Sequence, residues 1–281
     1  MGRKILCFSL VCALIFGVFS VGYCQKNSLS KKEIERIVGE VARKRGIPSV
    51  ILKSVAKTES SFTQFTPSGK IYASRGGNIG IMQVRSNAYN LKKLQEDPVY
   101  NIEAGADVLL AKWKYANSKM PQIGNMDPNI LEHWYFALWA YNGLLNRNNP
   151  NQSSNTYQDK IYKTAQKIYG VKISSIDKKS LPKKGIPGKN IKLETPAKFH
   201  EGDIIKYKIG DIVLADGKEQ LLLLNQPSGK EVGRVDDKTK LTIIEGPKLK
   251  NGFYFYKVKN KEKNKEGWIY GNWIKIVNKS S

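Results

Sequence analysis

The chain has 281 residues, with 47 Lys and Arg against 24 Asp and Glu, and a net charge of +23; this length suits about two domains. It holds only three Cys and two His, which argues against a zinc site of three or four His and Cys ligands and against a Cys–His nucleophile pair. No G-x-S-x-G segment, the signature of a serine nucleophile, is present. Carboxylates are therefore the most numerous groups that remain for acid–base chemistry. We expect no metal and no cofactor.

The first 24 residues are predicted to be an export signal. Arg3 and Lys4 precede fifteen uncharged, mostly apolar residues at 5–19, which is the order found in secretory signals. Two alternatives stay open. One is an uncleaved membrane anchor, because residues 5–24 are almost long enough to span a bilayer, and the other is a lipid anchor on Cys24. All three place the protein in the periplasm, in the cell wall or outside the cell.

Residues 31–170 are predicted to form an α-helical domain. Ser30 and Glu33 fit a capping box, and apolar residues at helical spacing follow them. A second helix is expected over about 50–60.

Further helices of this domain are predicted from their caps. Asp97-Pro98 and Asp127-Pro128 each fit an N-cap followed by proline at the first helical position. A last helix is expected over about 157–169, ending at a glycine and burying three apolar residues, Ile161, Ala165 and Ile168.

The segments between and after these helices differ in composition. Residues 65–90 are rich in Gly and Ser and are predicted to be an ordered loop, whereas the Lys-, Pro- and Gly-containing segment 171–206 is predicted to be a linker. Short β-type runs separated by turn residues fill 207–281 and predict a small all-β unit, a barrel. The expected fold class is therefore α+β with more than one domain.

Glu59 occupies an unusual place in the second predicted helix. Val55 and Leu52 lie four and seven positions earlier, so all three share the face that is expected to be buried. Burial and the negative end of the helix dipole both disfavour a charged carboxylate. We expect a raised pKa and a neutral acid that can donate a proton near neutral pH. A glutamate that simply reaches solvent at the helix end is the alternative.

Four short motifs surround this acid in the sequence. They are ESSF at 59–62, GNIGIMQV at 77–84, NIEAG at 101–105 and AYNGL at 140–144. In this order and spacing they resemble the lytic transglycosylase family, the SLT-type branch of the lysozyme superfamily. The resemblance implies a lysozyme-like helical domain at 31–170 that cleaves the bond between MurNAc and GlcNAc in the glycan strands of peptidoglycan.

The resemblance also implies the chemistry at Glu59. It would be the sole catalytic acid/base, which protonates the glycosidic oxygen and then, as a carboxylate, takes the proton of the MurNAc C6 hydroxyl. That hydroxyl closes on C1 and leaves a 1,6-anhydro end, while the 2-acetamido group of the substrate stabilises the cationic intermediate. A second catalytic carboxylate is then unnecessary, in contrast with ordinary glycosidases.

The same resemblance implies a substrate-binding set. Ser60 would hydrogen-bond near the acid, Tyr141 would orient the acid, and Gln83 would contact the acetamido region of the sugar. Asn142 would line the cleft, and Asn101 is interpreted as structural. The full predicted set is Ser60, Gly80, Met82, Gln83, Tyr141 and Asn142, where Gly80 permits close backbone approach and Met82 either flanks the cleft or belongs to the core.

The C-terminal runs resemble a bacterial SH3-like domain. The relevant stretches are EVGRVDDKTKLTIIEG at 231–246, FYFYKVKN at 253–260 and EGWIYGNWI at 266–274. The resemblance implies wall binding, or else a spacer role. Four aromatic side chains are expected to be exposed for stacking on the wall, namely Tyr254, Tyr256, Trp268 and Trp273.

The partners expected from these features are the glycan strands and, because the basic charge is spread along the whole chain, anionic wall polymers. Nucleic acid is not expected, since the chain is predicted to be exported and shows no nucleic-acid-binding motif. Membrane contact is expected only through an uncleaved signal or a lipid anchor. Two functional alternatives stay open: a lysozyme-type hydrolase, in which water replaces the C6 hydroxyl, and a catalytically silent wall-binding or scaffold protein.

Overall fold

The computed structural model describes residues 29–217 and 220–278. The predicted signal at 1–24 lies outside the described residues. Among the residues that are described, no helix is both long enough and apolar enough to cross a bilayer.

Within the described residues, six α-helices form the N-terminal body. Their bounds are α1 (Lys31–Lys44), α2 (Ser49–Ser60), α3 (Leu91–Glu96), α4 (Pro98–Lys119), α5 (Tyr135–Tyr141) and α6 (Tyr157–Tyr169). The predicted capping box of α1 is confirmed, because Ser30 Oγ accepts from Glu33 N at 3.2 Å and Ser30 N donates to Glu33 Oε2 at 2.8 Å. These two bonds satisfy backbone donors that a helix start otherwise leaves free.

Helix α4 runs through the core of this body. Its predicted start is confirmed, since Asp97 Oδ1 accepts from Val99 N and Tyr100 N, and Pro98 is the first helical residue. Trp113 on this helix is fully buried and stacks on Trp134, with ring centroids 4.4 Å apart. Aromatic side chains of this size dominate core energetics, so this pair holds α4 against the segment that leads into α5.

The predicted helix start at Asp127-Pro128 is wrong. Asp127 Oδ1 accepts from Asn129 N at 2.8 Å, which closes a short turn. Ile130 then pairs with Glu201 in a β-bridge, so the backbone is extended where a helix was expected. Helical structure begins only with a 3-10 helix at Leu131–Trp134, which continues directly into α5.

The predicted last helix is confirmed as α6, with Thr156 as its N-cap and Gly170 in the left-handed conformation after its end. Ile161 and Ala165 are buried as expected, but Ile168 is 52 % exposed, contrary to the prediction. In that last turn Tyr169, and not Ile168, contacts helix α2: Lys53 Nζ lies 5.4 Å from the centroid of the Tyr169 ring.

The segment after α2 confirms the predicted ordered loop at 65–90. It consists of turns and a short 3-10 helix, joined by isolated β-bridges that pair Phe65 with Ile71 and Ile79 with both Ala73 and Val84. These bridges fold the segment into a small lobe beside the C-terminal end of α2. Its backbone is therefore fixed although it contains almost no regular helix or strand.

Residues 171–206 contain little regular secondary structure and pack along the helical body. Ile173, Ile176, Leu181 and Leu193 are buried in the core of that body. Strand β2 (Lys192–Leu193) also pairs in parallel with β1 (Gln122–Ile123). The segment predicted to be a linker thus contacts the helices over much of its length, and the boundaries at 171 and 206 stay predictions.

The C-terminal unit is a curled, seven-stranded antiparallel sheet. Its strands are β3 (Ile212–Ala215), β4 (Leu221–Leu224), β5 (Glu231–Val235), β6 (Lys240–Lys250), β7 (Phe253–Asn260), β8 (Lys265–Tyr270) and β9 (Ile274–Asn278). Their order in the sheet is β5-β4-β8-β7-β6-β3-β9. The all-β prediction is confirmed in this form, a half-barrel, because within the described residues the edge strands β5 and β9 do not pair with each other.

The expectation of four exposed aromatic side chains on this sheet is wrong. Tyr254 and Tyr256 lie two positions apart on β7, so their side chains point to the same face of the sheet, where both are buried in the core. Trp268 is buried with Phe255 on the other face. Trp273 is half-buried, and the Arg45 guanidinium lies 4.5 Å from its ring centroid.

The sheet is in direct contact with the helical body. Trp113 Nε1 donates to the Gly252 carbonyl at 2.8 Å, and Asn272 Nδ2 donates to the Arg45 carbonyl at 2.7 Å. Both bonds are buried, so their loss would leave polar groups unpaired away from water. The C-terminal unit is therefore attached by its side chains as well as by the connecting segment.

Candidate active site

Glu59 lies in the last turn of α2 and is half-buried. Val55 and Leu52 on the same face are fully buried. Burial raises the pKa of Glu59 above its ordinary value of 4.5, as the sequence predicts, and a hydrogen bond from Tyr157 opposes that rise. Tyr157 Oη donates to Glu59 Oε1 at 2.6 Å. The carboxyl group is thus held in one orientation while its neutral form is favoured.

Ser60 fixes the end of this helix to the neighbouring lobe. Its hydroxyl is buried, donates to the Ile81 carbonyl at 2.8 Å and accepts from Thr63 N at 3.0 Å. The chain can turn away here because Ser61 and Phe62 both adopt left-handed backbone conformations, with φ of 53° and 61°. Ser60 therefore ties the acid to the turn that follows, which is a positioning role.

The turn at 80–83 is shaped from inside the protein. Gly80 has φ of +69°, and a Cβ built on it would lie 2.3 Å from Gln64 Oε1 and 2.5 Å from Asn101 Nδ2. Its missing side chain therefore makes room for buried amides, and the side of Gly80 that a Cβ would occupy does not face the cleft. Gln83 also has positive φ, 49°, and its Nε2 donates to the Gly80 carbonyl at 2.9 Å.

Asn101 has the structural role predicted for it. It is fully buried on α4, its Oδ1 accepts from Met82 N at 2.9 Å, and its Nδ2 donates to the Ile79 carbonyl at 2.9 Å. Gln64 adds a bond from Ile81 N to its Oε1 at 3.2 Å. Two buried amides thus satisfy the backbone of the turn, which leaves few alternative conformations for it.

Met82 belongs to the core. Its side chain has no exposed surface and lies against Gly105, where a Cβ would approach it to 2.3 Å. Of the two interpretations left open by the sequence, the structure supports core packing. Only the Met82 carbonyl takes part in the site, because it accepts from Tyr141 Oη at 2.8 Å.

The tyrosine that contacts the acid is not the one the motif suggests. Tyr141 bonds to Met82, whereas Tyr157, at the start of α6, bonds to Glu59. The two rings are stacked with centroids 6.4 Å apart. Burial and the nearby Glu59 hold the pKa of both phenols well above their usual range, so both remain hydrogen-bond donors.

Asn142 and Tyr157 are linked through one buried side chain. Asn148 Nδ2 donates to Asn142 Oδ1 at 3.3 Å, and Asn148 Oδ1 accepts from Tyr157 N at 3.2 Å. Asn142 itself is half-buried and thus retains accessible surface. Neither Asn148 nor Tyr157 lies in a recognised motif, so the sequence does not mark them as site residues; the only sequence signal at Tyr157 is its position directly after the Thr156 cap.

We expect Tyr157→Phe to shift the pH dependence of activity. The hydrogen bond from Tyr157 lowers the pKa of Glu59, so its loss raises that pKa and moves the alkaline limb of the rate profile to higher pH. A bond to an ionisable group is worth about 1.5–3 kcal/mol, so we also expect about a tenfold or greater loss of kcat/KM at the optimum. The measurement is the pH–rate profile on soluble glycan strands.

Tyr162→Phe is the matched control for this variant. Tyr162 lies on the same helix, but its hydroxyl donates to the Glu132 carbonyl and does not contact Glu59. The alkaline limb of the pH–rate profile of Tyr162→Phe should coincide with that of the wild type. An unshifted limb in Tyr157→Phe would show that Tyr157 does not control the ionisation of the acid.

Residues 36–164 match the family model described as the transglycosylase SLT domain. This range includes Glu59, the turn at 80–83, Tyr141, Asn142 and Tyr157, and it ends before the C-terminal sheet. Neither a curated protein nor a solved structure matches the chain significantly. The domain match supports an enzyme of the lytic transglycosylase type, with a lysozyme-like helical domain and peptidoglycan as its substrate.

Proposed function

We propose that this protein is an exported lytic transglycosylase that cleaves the MurNAc–GlcNAc bond and leaves 1,6-anhydro-MurNAc ends. The observation that carries the proposal is the half-buried Glu59 at the start of the ESSF motif, oriented by the hydrogen bond from Tyr157 and with a pKa raised by burial. Ordinary glycosidases use a second carboxylate about 5–10 Å from the acid. In this sequence no second acid has a motif of the family around it.

A single acid suffices if the nucleophile belongs to the substrate. Neutral Glu59 gives its proton to the glycosidic oxygen as the bond to C1 breaks, and the substrate acetamido group stabilises the cation that forms. The Glu59 carboxylate then accepts the proton of the C6 hydroxyl while O6 bonds to C1. The proton is returned to the enzyme at the end of the cycle, so no water is consumed.

The other predicted site residues divide into two groups. Gln83 and Asn142 are partly exposed amides at the site, and we assign them to contacts with the sugar substituents. Ser60 and Tyr141 bond to the carbonyls of Ile81 and Met82, and we assign them to holding the turn beside the acid. Preorganised donors and acceptors of this kind reduce the reorganisation needed during reaction.

The product structure tests the proposal. Mass spectrometry of sacculi digested by the protein is expected to show anhydro-MurNAc at the new chain ends, lighter by one water than a reducing end. Reducing MurNAc ends alone would identify a lysozyme-type hydrolase instead. Absence of any new ends, with folded protein, would support a silent wall-binding role.

Export and wall binding complete the proposal. The sequence at 1–24 supports export to the periplasm, the cell wall or the medium. We assign the half-barrel an SH3-like identity on its sequence resemblance. Since Tyr254, Tyr256 and Trp268 are buried, the proposed attraction to anionic wall polymers rests on charge, not on stacking.

A further inference from the structure

A short turn of the segment 171–206 is fixed to the helical body by one buried amide. Asn149 is fully buried, and its Nδ2 donates to the Pro182 carbonyl at 3.0 Å and to the Gly185 carbonyl at 2.9 Å. Both ends of residues 182–185 are therefore held by the same nitrogen atom. We call this segment, Pro182-Lys183-Lys184-Gly185, the dilysine turn.

Further bonds hold the chain on either side of this turn. Asn151 Nδ2 donates to the Lys178 carbonyl at 2.9 Å and to the Leu181 carbonyl at 3.2 Å. Gly185 N donates to Gln152 Oε1 at 3.4 Å, and the Leu181 side chain is buried in the helical core. The dilysine turn is thus built into the body, unlike a lysine pair on a free linker.

The loop that holds the dilysine turn also bonds to residues of the candidate site. Asn149 directly follows Asn148, which bonds to Asn142 and to the backbone of Tyr157. Tyr157 in turn bonds to Glu59. The dilysine turn is therefore connected to Glu59 through Asn149, the adjacent Asn148 and Tyr157, and the bond from Asn148 to Asn142 places the turn at the Asn142 side of the site.

The charged residues of this region are all positive. Residues 178–192 contain six lysines and no acidic residue. Lys183 and Lys184 are exposed. Among the described residues, neither takes part in an ion pair. Two ammonium groups are thus presented to solvent from a fixed backbone, without a protein carboxylate to neutralise them.

We propose that the dilysine turn is an anion-binding subsite for the carboxylates of peptide substituents on the glycan strand. The inference rests on the proposed function, because it takes the strand to lie along the site that contains Glu59 and Asn142. A strand in that position carries its lactyl-linked peptides with it, and their free carboxylates then reach the wall beside Asn142. The subsite makes peptide-bearing strands better substrates than strands from which the peptides have been removed.

The experiment compares wild type with Lys183→Gln/Lys184→Gln on two substrates, peptide-bearing strands and the same strands stripped of peptide by an amidase. Exposed ion pairs contribute modestly, so we expect the double variant to lose about tenfold in kcat/KM on peptide-bearing strands, through KM. On stripped strands it should stay within about twofold of wild type, since the chemistry is unchanged. The loss should shrink as ionic strength rises above about 0.15 M.

Lys114→Gln/Lys119→Gln is the matched control. Both lysines are exposed on the C-terminal half of α4, so this pair removes the same charge outside both the site and the half-barrel. It should behave as wild type on both substrates. An equal loss in this control would show that only overall charge matters, and an equal loss on both substrates, or none, would overturn the proposed subsite.

A second variant separates position from charge. Asn149→Ser keeps both lysines but removes the amide that holds the turn, and is expected to lose selectivity for peptide-bearing strands. Should it fail to fold by circular dichroism, the lysine variant still decides the question.

Binding to a soluble phosphodiester polymer is measured in parallel. If the lysine variant lost that binding alone, with unchanged kinetics on strands, the ligand would be a wall polymer and the carboxylate assignment would be wrong.

Cleavage of stripped strands by wild type tests the proposed function separately. Anhydro ends formed at equal rates from both substrates would retain the transglycosylase assignment and refute the subsite. No cleavage of either substrate would refute the assignment itself.

Discussion

Glu59→Gln is expected to abolish strand cleavage while leaving the fold intact. General acid–base groups typically contribute about 10²–10⁴-fold, and here one group serves both proton transfers, so the loss should reach several orders of magnitude. Gln has nearly the same shape but can neither donate nor recover the proton. The measurement is the rate of release of soluble products from sacculi and from soluble strands.

Glu96→Gln is the matched control, because Glu96 is exposed on α3 and outside the proposed machinery. It should retain wild-type activity. Retention of more than about a tenth of the wild-type rate in Glu59→Gln would exceed the residual rate that loss of an acid–base group allows, and would remove Glu59 from the mechanism.

The stability of Glu59→Gln, measured by thermal unfolding, tests the protonation state of Glu59 independently of activity. Burial raises the pKa of Glu59 in the folded state above 4.5, so folding favours the neutral form. The stability that this group confers is present below its unfolded pKa and is lost as pH rises through its folded pKa. At pH 7 Glu59→Gln should therefore be as stable as wild type or slightly more stable, and the difference should vanish below pH 4.5. A variant less stable at pH 7 would mean that the charged carboxylate is favoured by the fold.

Local signals explain which elements the sequence predicts well. The Ser30–Glu33 capping box and the Asp97-Pro98 start are closed by bonds within three residues, so the sequence alone carries the information. Asp127-Pro128 presents the same signal and fails. There the backbone of Ile130 pairs with Glu201, 71 positions along the chain, and a tertiary contact of that range has no local signature.

The candidate site shows the same division. Glu59 could be found because its conflict with the apolar face of α2 lies within one helix and one motif. Tyr157 could not, since its bond to Glu59 spans 98 positions and depends on how α6 packs against α2. The position of a residue in a motif also does not show whether its side chain faces the cleft or the core. Met82 and the Cβ side of Gly80 face the interior, because α4 packs against this turn.

On the sheet, the alternation of side chains along a strand also does not predict which residues are exposed. Tyr254 and Tyr256 lie two positions apart on β7 and therefore share one face of the sheet. This spacing does not indicate that both faces are covered, one by the core of the half-barrel and the other by the cluster around Phe255 and Trp268. The aromatic residues expected on the surface are therefore buried.

Glu132 links the segment 171–206 to the helical body, and its loss is expected to destabilise the fold strongly. Its carboxylate has no exposed surface. Oε1 accepts from Ser174 N at 2.9 Å and from His200 Nδ1 at 2.8 Å, and Oε2 accepts from His200 N at 3.0 Å. Every one of these donors belongs to the segment that passes from the helices to the sheet.

Glu132→Ala is expected to lower the free energy of unfolding by about 3–5 kcal/mol, because removal of one member of a buried, hydrogen-bonded pair leaves the other groups unpaired. Glu132→Gln should lose less, since one acceptor oxygen remains. Urea unfolding of the full chain, followed by tryptophan fluorescence, measures both.

Glu194→Ala, at an exposed position of the same segment, is the control and should change stability by less than about 0.5 kcal/mol. Because Glu132 bonds to the segment and not to Glu59, the folded fraction of Glu132→Ala should keep wild-type kcat well below its unfolding midpoint. A loss of stability no larger than that of Glu194→Ala would mean that the 171–206 segment is held by its buried apolar residues alone, and a specific loss of kcat would mean that the segment reaches the active site through Glu132.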